Sequence, residues 1–171
     1  FEMLNLKESL GKVLEDYGPL LEEKKFHVDI QMEPEGIQIY SDRRGFEFML
    51  GQFISNAVKF TQKGQVSVRI RYDQGDMLHF EVEDSGIGIP QEEQDKIFAM
   101  YYQVKDSNGG KPATGTGIGL AVSKRLAKSM GGDITVASHP GKGSTFTLTV
   151  HAPAGAEEVE DTFENDDMPL P

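Results

Sequence analysis

The chain has 171 residues, 37% hydrophobic and 26% charged, enough for one globular domain around a single core. It contains no cysteine, which excludes a disulfide framework, a thiolate metal site and a cysteine nucleophile. Its net charge is -11, and from Ala156 onward seven acidic residues stand without a basic one, leaving 21 acids against 17 bases, or -4, before that point. This stretch buries too little apolar surface to fold, so residues 153–171 are expected to form an acidic disordered linker after a domain over 1–152. No run approaches the roughly 18 apolar residues of a membrane span, the first residues do not resemble a signal peptide, and no basic face suits nucleic acid. The chain is therefore expected to be soluble.

In chain order, Leu10, Val13, Leu14, Tyr17 and Leu21 recur at helical spacing. They predict an amphipathic helix from Leu6 to about Lys24, bent or interrupted at Gly18-Pro19. Val28, Ile30 and Met32 alternate as a strand, and Ile37 to Tyr40 is a short second strand reached through a Pro34-Glu35-Gly36 turn. Ser41 or Asp42 can cap the next helix, whose stripe is Phe46, Met49, Leu50, Phe53, Ile54 and Ala57. At about 100° per residue, Gln52, Asn56 and Lys59 share one flank of that stripe. Two amides and an ammonium there suit a hard cation and phosphate oxygens, although a wet polar edge on a core helix has the same pattern.

Val66 to Tyr72 and Leu78 to Val82 read as a hairpin, which delivers Asp84 at the strand end into Asp84-Ser85-Gly86-Ile87-Gly88-Ile89-Pro90. The two glycines permit a sharp turn and close approach to a ligand, and the carboxylate can accept a hydrogen bond from it. An ordinary Asp-Gly turn is the bland alternative. Pro90 suits the start of a helix reaching about Phe98. From Lys105 to Gly117 there are four glycines and one proline without apolar periodicity, a loop length that is either functional or disordered. It leads through Gly115-Thr116-Gly117-Ile118-Gly119-Leu120 into a helix with apolar positions Ile118, Ala121, Val122, Leu126 and Met130. A glycine-rich turn before a helix offers free N–H groups and the positive dipole end to phosphate. Gly131-Gly132 ends that helix, and strands around Ile134 to Ala137 and Thr145 to Val150 flank a Gly141-Lys142-Gly143 turn.

Neither the dinucleotide fingerprint nor the P-loop accounts for glycines at 115, 117 and 119. There is no Gly-x-Ser-x-Gly elbow, and His27, His79, His139 and His151 lack metal-ligand spacing.

The combination resembles sensor histidine kinases. Asn56-Ala57-Val58-Lys59-Phe60-Thr61 is similar to their N box, Asp84 to Pro90 to the first glycine box, Ile97-Phe98 with Tyr101 to the F box, and Gly115 to Leu120 to the second glycine box. The stretch from Tyr101 to Val136 and the acidic tail resemble the hybrid sensor kinases of anoxic redox control. The resemblance implies an α+β fold, the two-layer α/β sandwich of the Bergerat or GHKL type, with a mixed sheet, helices on one face and a mobile ATP lid. It implies ATP and Mg2+ as ligands. Asp84 would read the adenine amino group, with Gly86, Gly88 and Ile89 shaping the pocket and Phe60 near adenine or ribose. Asn56 would hold Mg2+, Lys59 would meet phosphate, and both would carry catalysis. Gly115, Thr116, Gly117, Gly119 and Leu120 would bring lid backbone to the triphosphate, with Lys105 and Lys111 as further lid contacts.

Gln52 stands where these kinases commonly carry Asn, which leaves its role as a metal ligand open. Ala99 and Tyr101 stand where the F box usually has Glu and a second Phe. Related GHKL ATPases place a glutamate at the Gln52 position to activate water; an amide cannot accept that proton, so phosphotransfer is favoured over hydrolysis. Glu47 lies roughly on the opposite flank. The expected activity is transfer of the γ-phosphoryl of Mg-ATP to a histidine on a separate dimerisation domain preceding Phe1, with a receiver domain downstream. The isolated domain would be monomeric, and the full kinase dimeric and anchored at the bacterial inner membrane with this part in the cytoplasm. A nucleotide-gated interaction module without phosphotransfer, or a GHKL-type ATPase, is the alternative.

Overall fold

Alternating apolar residues build the central layer, and the amphipathic stripe of one long helix closes it. A computed structural model describes residues 1–61, 64–73, 75–100, 102 and 118–154. In chain order the elements are β1 (Glu2–Asn5), α1 (Leu6–Glu23), β2 (His27–Glu33), β3 (Gln38–Ser41), α2 (Arg43–Phe60), β4 (Gln65–Tyr72), β5 (Met77–Asp84), α3 (Gln91–Gln94), α4 (Gly119–Ser129), β6 (Asp133–His139) and β7 (Gly143–His151). The main sheet has the order β2-β4-β5-β7-β6, with β2 parallel to β4 and every other pairing antiparallel. This is an α+β, two-layer arrangement with helices packed on one face of a mixed sheet.

Register carries the core from strand to strand. Val68 faces Val82 and Ile70 faces Phe80, while Phe80 and Val82 face Leu148 and Phe146 of β7. Side chains of one phase therefore form a continuous apolar floor. α2 lays Phe46, Met49, Leu50, Phe53, Ile54 and Ala57 on the core side, all of them buried. Phe53 tilts against Phe80 and Phe146, with ring centroids 6.3 and 5.6 Å away. The opposite phase is polar: Arg69 reaches Glu81 at 3.1 Å and Glu83 at 3.0 Å on the solvent side.

The two long helices, α1 and α2, start at side-chain caps. The Asn5 side chain accepts from Glu8 N–H at the head of α1, and the Asp42 side chain accepts from Arg44 N–H at the head of α2. Of the bend or interruption expected at Gly18-Pro19, the interruption does not occur: α1 runs through Pro19. Pro19 and Glu15, whose carbonyl loses its helical donor, both lie on the solvent side, where water can replace the bond. The helix expected from Pro90 to Phe98 is also shorter: regular α-structure ends at Gln94, and the chain continues in turns such as Lys96 N–H to Glu93 O and Ala99 N–H to Lys96 O.

β1 was not expected. It pairs antiparallel with β3, opposing Leu4 to Ile39, both fully buried. On the other edge of β3, Tyr40 N–H donates to Pro153 O at 2.9 Å and Ile39 bridges Ala154, so paired backbone extends to Ala154. Among the described residues no helix is long and apolar enough to cross a membrane. The acidic stretch from Gly155 lies outside the described residues.

Candidate functional site

Asp84 shares the inward phase of Leu78, Phe80 and Val82, so strand alternation drives a carboxylate into the face that the helices cover. It is 4% exposed. Burial pushes its carboxyl pKa up, countered by N–H groups of Gly86 and Ser144. The Gly86 bond measures 2.9 Å, and among the described residues no cation pairs with Asp84. A buried carboxylate without a counter-ion is costly, which makes Asp84 a candidate functional residue.

The loop after Asp84 is held from three sides. Ile87 N–H donates to Phe60 O at 3.2 Å, which ties it to the end of α2. Gly141 N–H donates to Ile87 O at 2.7 Å, tying it to the β6–β7 turn. Buried Ile89 donates its N–H to Ser138 Oγ at 2.7 Å, and Gln94 Nε2 donates to Ile89 O and Ser138 O, each at 3.0 Å. Two glycines make these approaches possible. A β-carbon on Gly86 would overlap Phe60 O, and one on Gly88, where φ is +74°, would overlap His139 O.

Gln52, Asn56 and Lys59 lie along the α2 flank beside Phe53. Asn56 Nδ2 is buried and has no hydrogen-bond partner among the described residues. Lys59 is exposed in the last helical turn, and Phe60 is half-buried. Gln52 turns toward Gly119, the first residue of α4, so closely that its Oε1 occupies the place a β-carbon there would take. α2 therefore touches the first glycine box through Phe60 and the second through Gln52. Ile118, the N-cap residue of α4, makes no side-chain cap hydrogen bond, and half-buried Leu120 packs toward the core.

Glu47 is committed elsewhere, with Lys12 at 3.4 Å and Arg43 at 3.6 Å. Lys105, Lys111, Gly115, Thr116 and Gly117, together with Tyr101, lie outside the described residues. Sequence reasoning missed Gln94, Ser138 and Ser144, although both serines stand in the inward phase of their strands, next to Val136 and Phe146, where an apolar residue is the norm. Among the described residues, no group of three or more His, Cys, Asp or Glu could hold a metal ion.

A carboxylate at the end of β5, an amide on α2 whose Nδ2 has no partner among the described residues, and the start of α4 are thus connected through Phe60 and Gln52 of α2. The family model described as "Histidine kinase-, DNA gyrase B-, and HSP90-like ATPase" matches residues 41–154. The chain belongs to this family. Membership makes it an ATP-binding domain, and the fold agrees. It is 76% identical over 134 residues, 78% of its length, to the aerobic respiration control sensor protein ArcB of Escherichia coli, and spans 17% of that protein. It is 41% identical over 158 residues to the sensor histidine kinase AruS of Pseudomonas aeruginosa, covering 83% of this chain and 15% of AruS. Among solved structures, full-length ShkA in complex with AMPPNP superposes with a TM-score of 0.79 and 26% identity, over 91% of this chain and 32% of ShkA. The mycobacterial sensor histidine kinase MprB shares the fold, with a TM-score of 0.74, 21% identity and coverage of 90% of this chain and all of that one. The chain thus spans less than a fifth of the curated relatives it matches.

Proposed function

We propose that this domain binds Mg-ATP and delivers the γ-phosphoryl group to a histidine of a separate helical dimerisation domain, within a hybrid sensor kinase of the ArcB kind. The carrying observation is the buried Asp84 beside the Gly86 notch, without a cation partner among the described residues, together with Asn56 Nδ2, which has no acceptor among them. Asp84 would accept from the exocyclic amino group of adenine, against a pocket wall of Ile89 and the Gly86–Gly88 backbone. Asn56 and Lys59 would meet phosphate oxygens, as would the α4 start at Gly119 and Leu120 with the preceding Lys105, Gly115, Thr116 and Gly117. Asn56, with Gln52 as a second amide, would hold Mg2+, for amide oxygens are hard donors and Mg2+ completes its shell with substrate phosphates and water. When bound, Mg2+ neutralises charge on the β- and γ-phosphate oxygens.

In the transfer, a nitrogen of the acceptor imidazole forms a bond to the γ-phosphorus while the bond to the β,γ-bridging oxygen breaks and its electron pair leaves with ADP. The residues named here position and stabilise charge and take no proton themselves. None of the four histidines stands in a His-Glu-Leu/Ile-Arg acceptor sequence, so the acceptor must come from another domain. A receiver domain downstream and a membrane-anchored dimeric whole fit the resemblance to ArcB, a sensor protein. The test supplies the isolated dimerisation domain and labelled ATP: phosphohistidine should appear with this domain and vanish with Asn56→Asp. No phosphohistidine at any domain concentration would refute phosphotransfer, and signalling that needs nucleotide but not transfer would support an interaction module instead.

A further inference from the structure

Lys124 lies on α4 and makes three contacts, one with Phe98 far back in the chain and two with β6, the strand that follows α4. Its ammonium sits 4.4 Å from the centroid of the Phe98 ring. It donates to Ile134 O at 3.1 Å, at the sheet edge, and lies 3.4 Å from Asp133 Oδ1. Phe98 follows buried Ile97 and the α3 turn, whose Gln94 holds both Ile89 O and Ser138 O. A single ammonium therefore joins the chain leaving the Asp84 loop to the helix whose start faces Gln52.

We infer that Lys124 is a positioning residue: by holding Phe98 and β6 together it sets the N-terminus of α4 against the adenine loop, and so sets the distance between the adenine and phosphate ends of the site. This rests on the nucleotide site proposed above. A partly shielded ammonium over an aromatic face keeps most of its attraction while still reaching a carbonyl. Arginine can make the same pair of contacts, whereas glutamine has neither the charge nor the length.

The experiment measures the affinities of AMP and AMPPNP for the full chain by calorimetry, with melting temperatures alongside. Loosening α4 should weaken phosphate contacts and spare adenine. In Lys124→Gln the ratio of AMPPNP to AMP affinity should fall about fivefold to tenfold, the size of losing one such contact. Lys124→Arg should restore the ratio, and adding Phe98→Leu to Lys124→Gln should cost nothing further, because both remove the same brace. Should Lys124→Gln not fold, Phe98→Leu, which keeps an apolar side chain, must lower the ratio by itself. Equal loss of both ligands, an unchanged ratio in a folded variant, or no rescue by arginine would overturn the positioning role. If the wild-type chain binds neither ligand, the nucleotide site itself falls, a result distinct from those.

Discussion

Replacing Asp84 by asparagine separates ligand recognition from folding. The variant keeps an oxygen that can accept the Gly86 N–H at the 2.9 Å contact, and removes a charge that is 4% exposed and has no cation partner among the described residues. A hydrogen bond to a charged group contributes about 1.5–3 kcal/mol, so affinity for AMPPNP should fall roughly 10- to 150-fold. Because the new amide nitrogen donates where the carboxylate accepted, a base with a carbonyl in place of the amino group should lose less, and inosine nucleotides should gain relative to adenosine ones. Ligand-free stability should hold or rise, since a desolvated charge is gone. The pH dependence has a definite sign. Burial raises the folded pKa of Asp84 above its unfolded value, so the native state binds more protons between the two. The stability this group contributes is complete below the unfolded pKa and is lost as pH rises through the folded one. Any advantage of Asp84→Asn should therefore shrink as pH falls through that window. Calorimetric titration with both nucleotides and urea unfolding at several pH values check this. Collapse of the ligand-free fold, or unaltered adenine preference, would refute the assignment of Asp84 as the base-reading group.

Gly86→Ala should close the notch, because its β-carbon overlaps Phe60 O; urea unfolding should show a loss of about 1–3 kcal/mol and calorimetry no AMPPNP binding. Lys59→Ala should leave stability within about 0.5 kcal/mol, since the side chain is exposed, yet abolish phosphotransfer in the labelled-ATP assay. Phe53→Ala, which empties the space between Phe80 and Phe146, should destabilise by about 3–5 kcal/mol in urea. Arg69→Ala on the polar sheet face should cost no more than about 1 kcal/mol, and less at high salt, because its carboxylate partners are solvent-exposed.

The core side of α2 and the inward phase of β4, β5 and β7 were legible because burial repeats with the period of the backbone, and Phe46 to Ala57 or Leu78 to Val82 display that period directly. The same alternation carries Asp84 inward, and the glycine at 86 signals a close approach before any partner is known. Local pattern does not say what is approached. Phe60 O over Gly86, Gln52 over Gly119 and Lys124 over Phe98 join residues 26, 67 and 26 positions apart, and no periodicity links them. β1 escaped notice because four residues beside β3 are too short to show alternation, and α1 survives Pro19 because the orphaned carbonyl faces water, which only its place in the fold reveals. Composition and periodicity thus determined the layers and the buried faces. Packing alone decided how α2 and α4 stand relative to the Asp84 loop, because that spacing depends on contacts between side chains brought together only when the sheet and helices close.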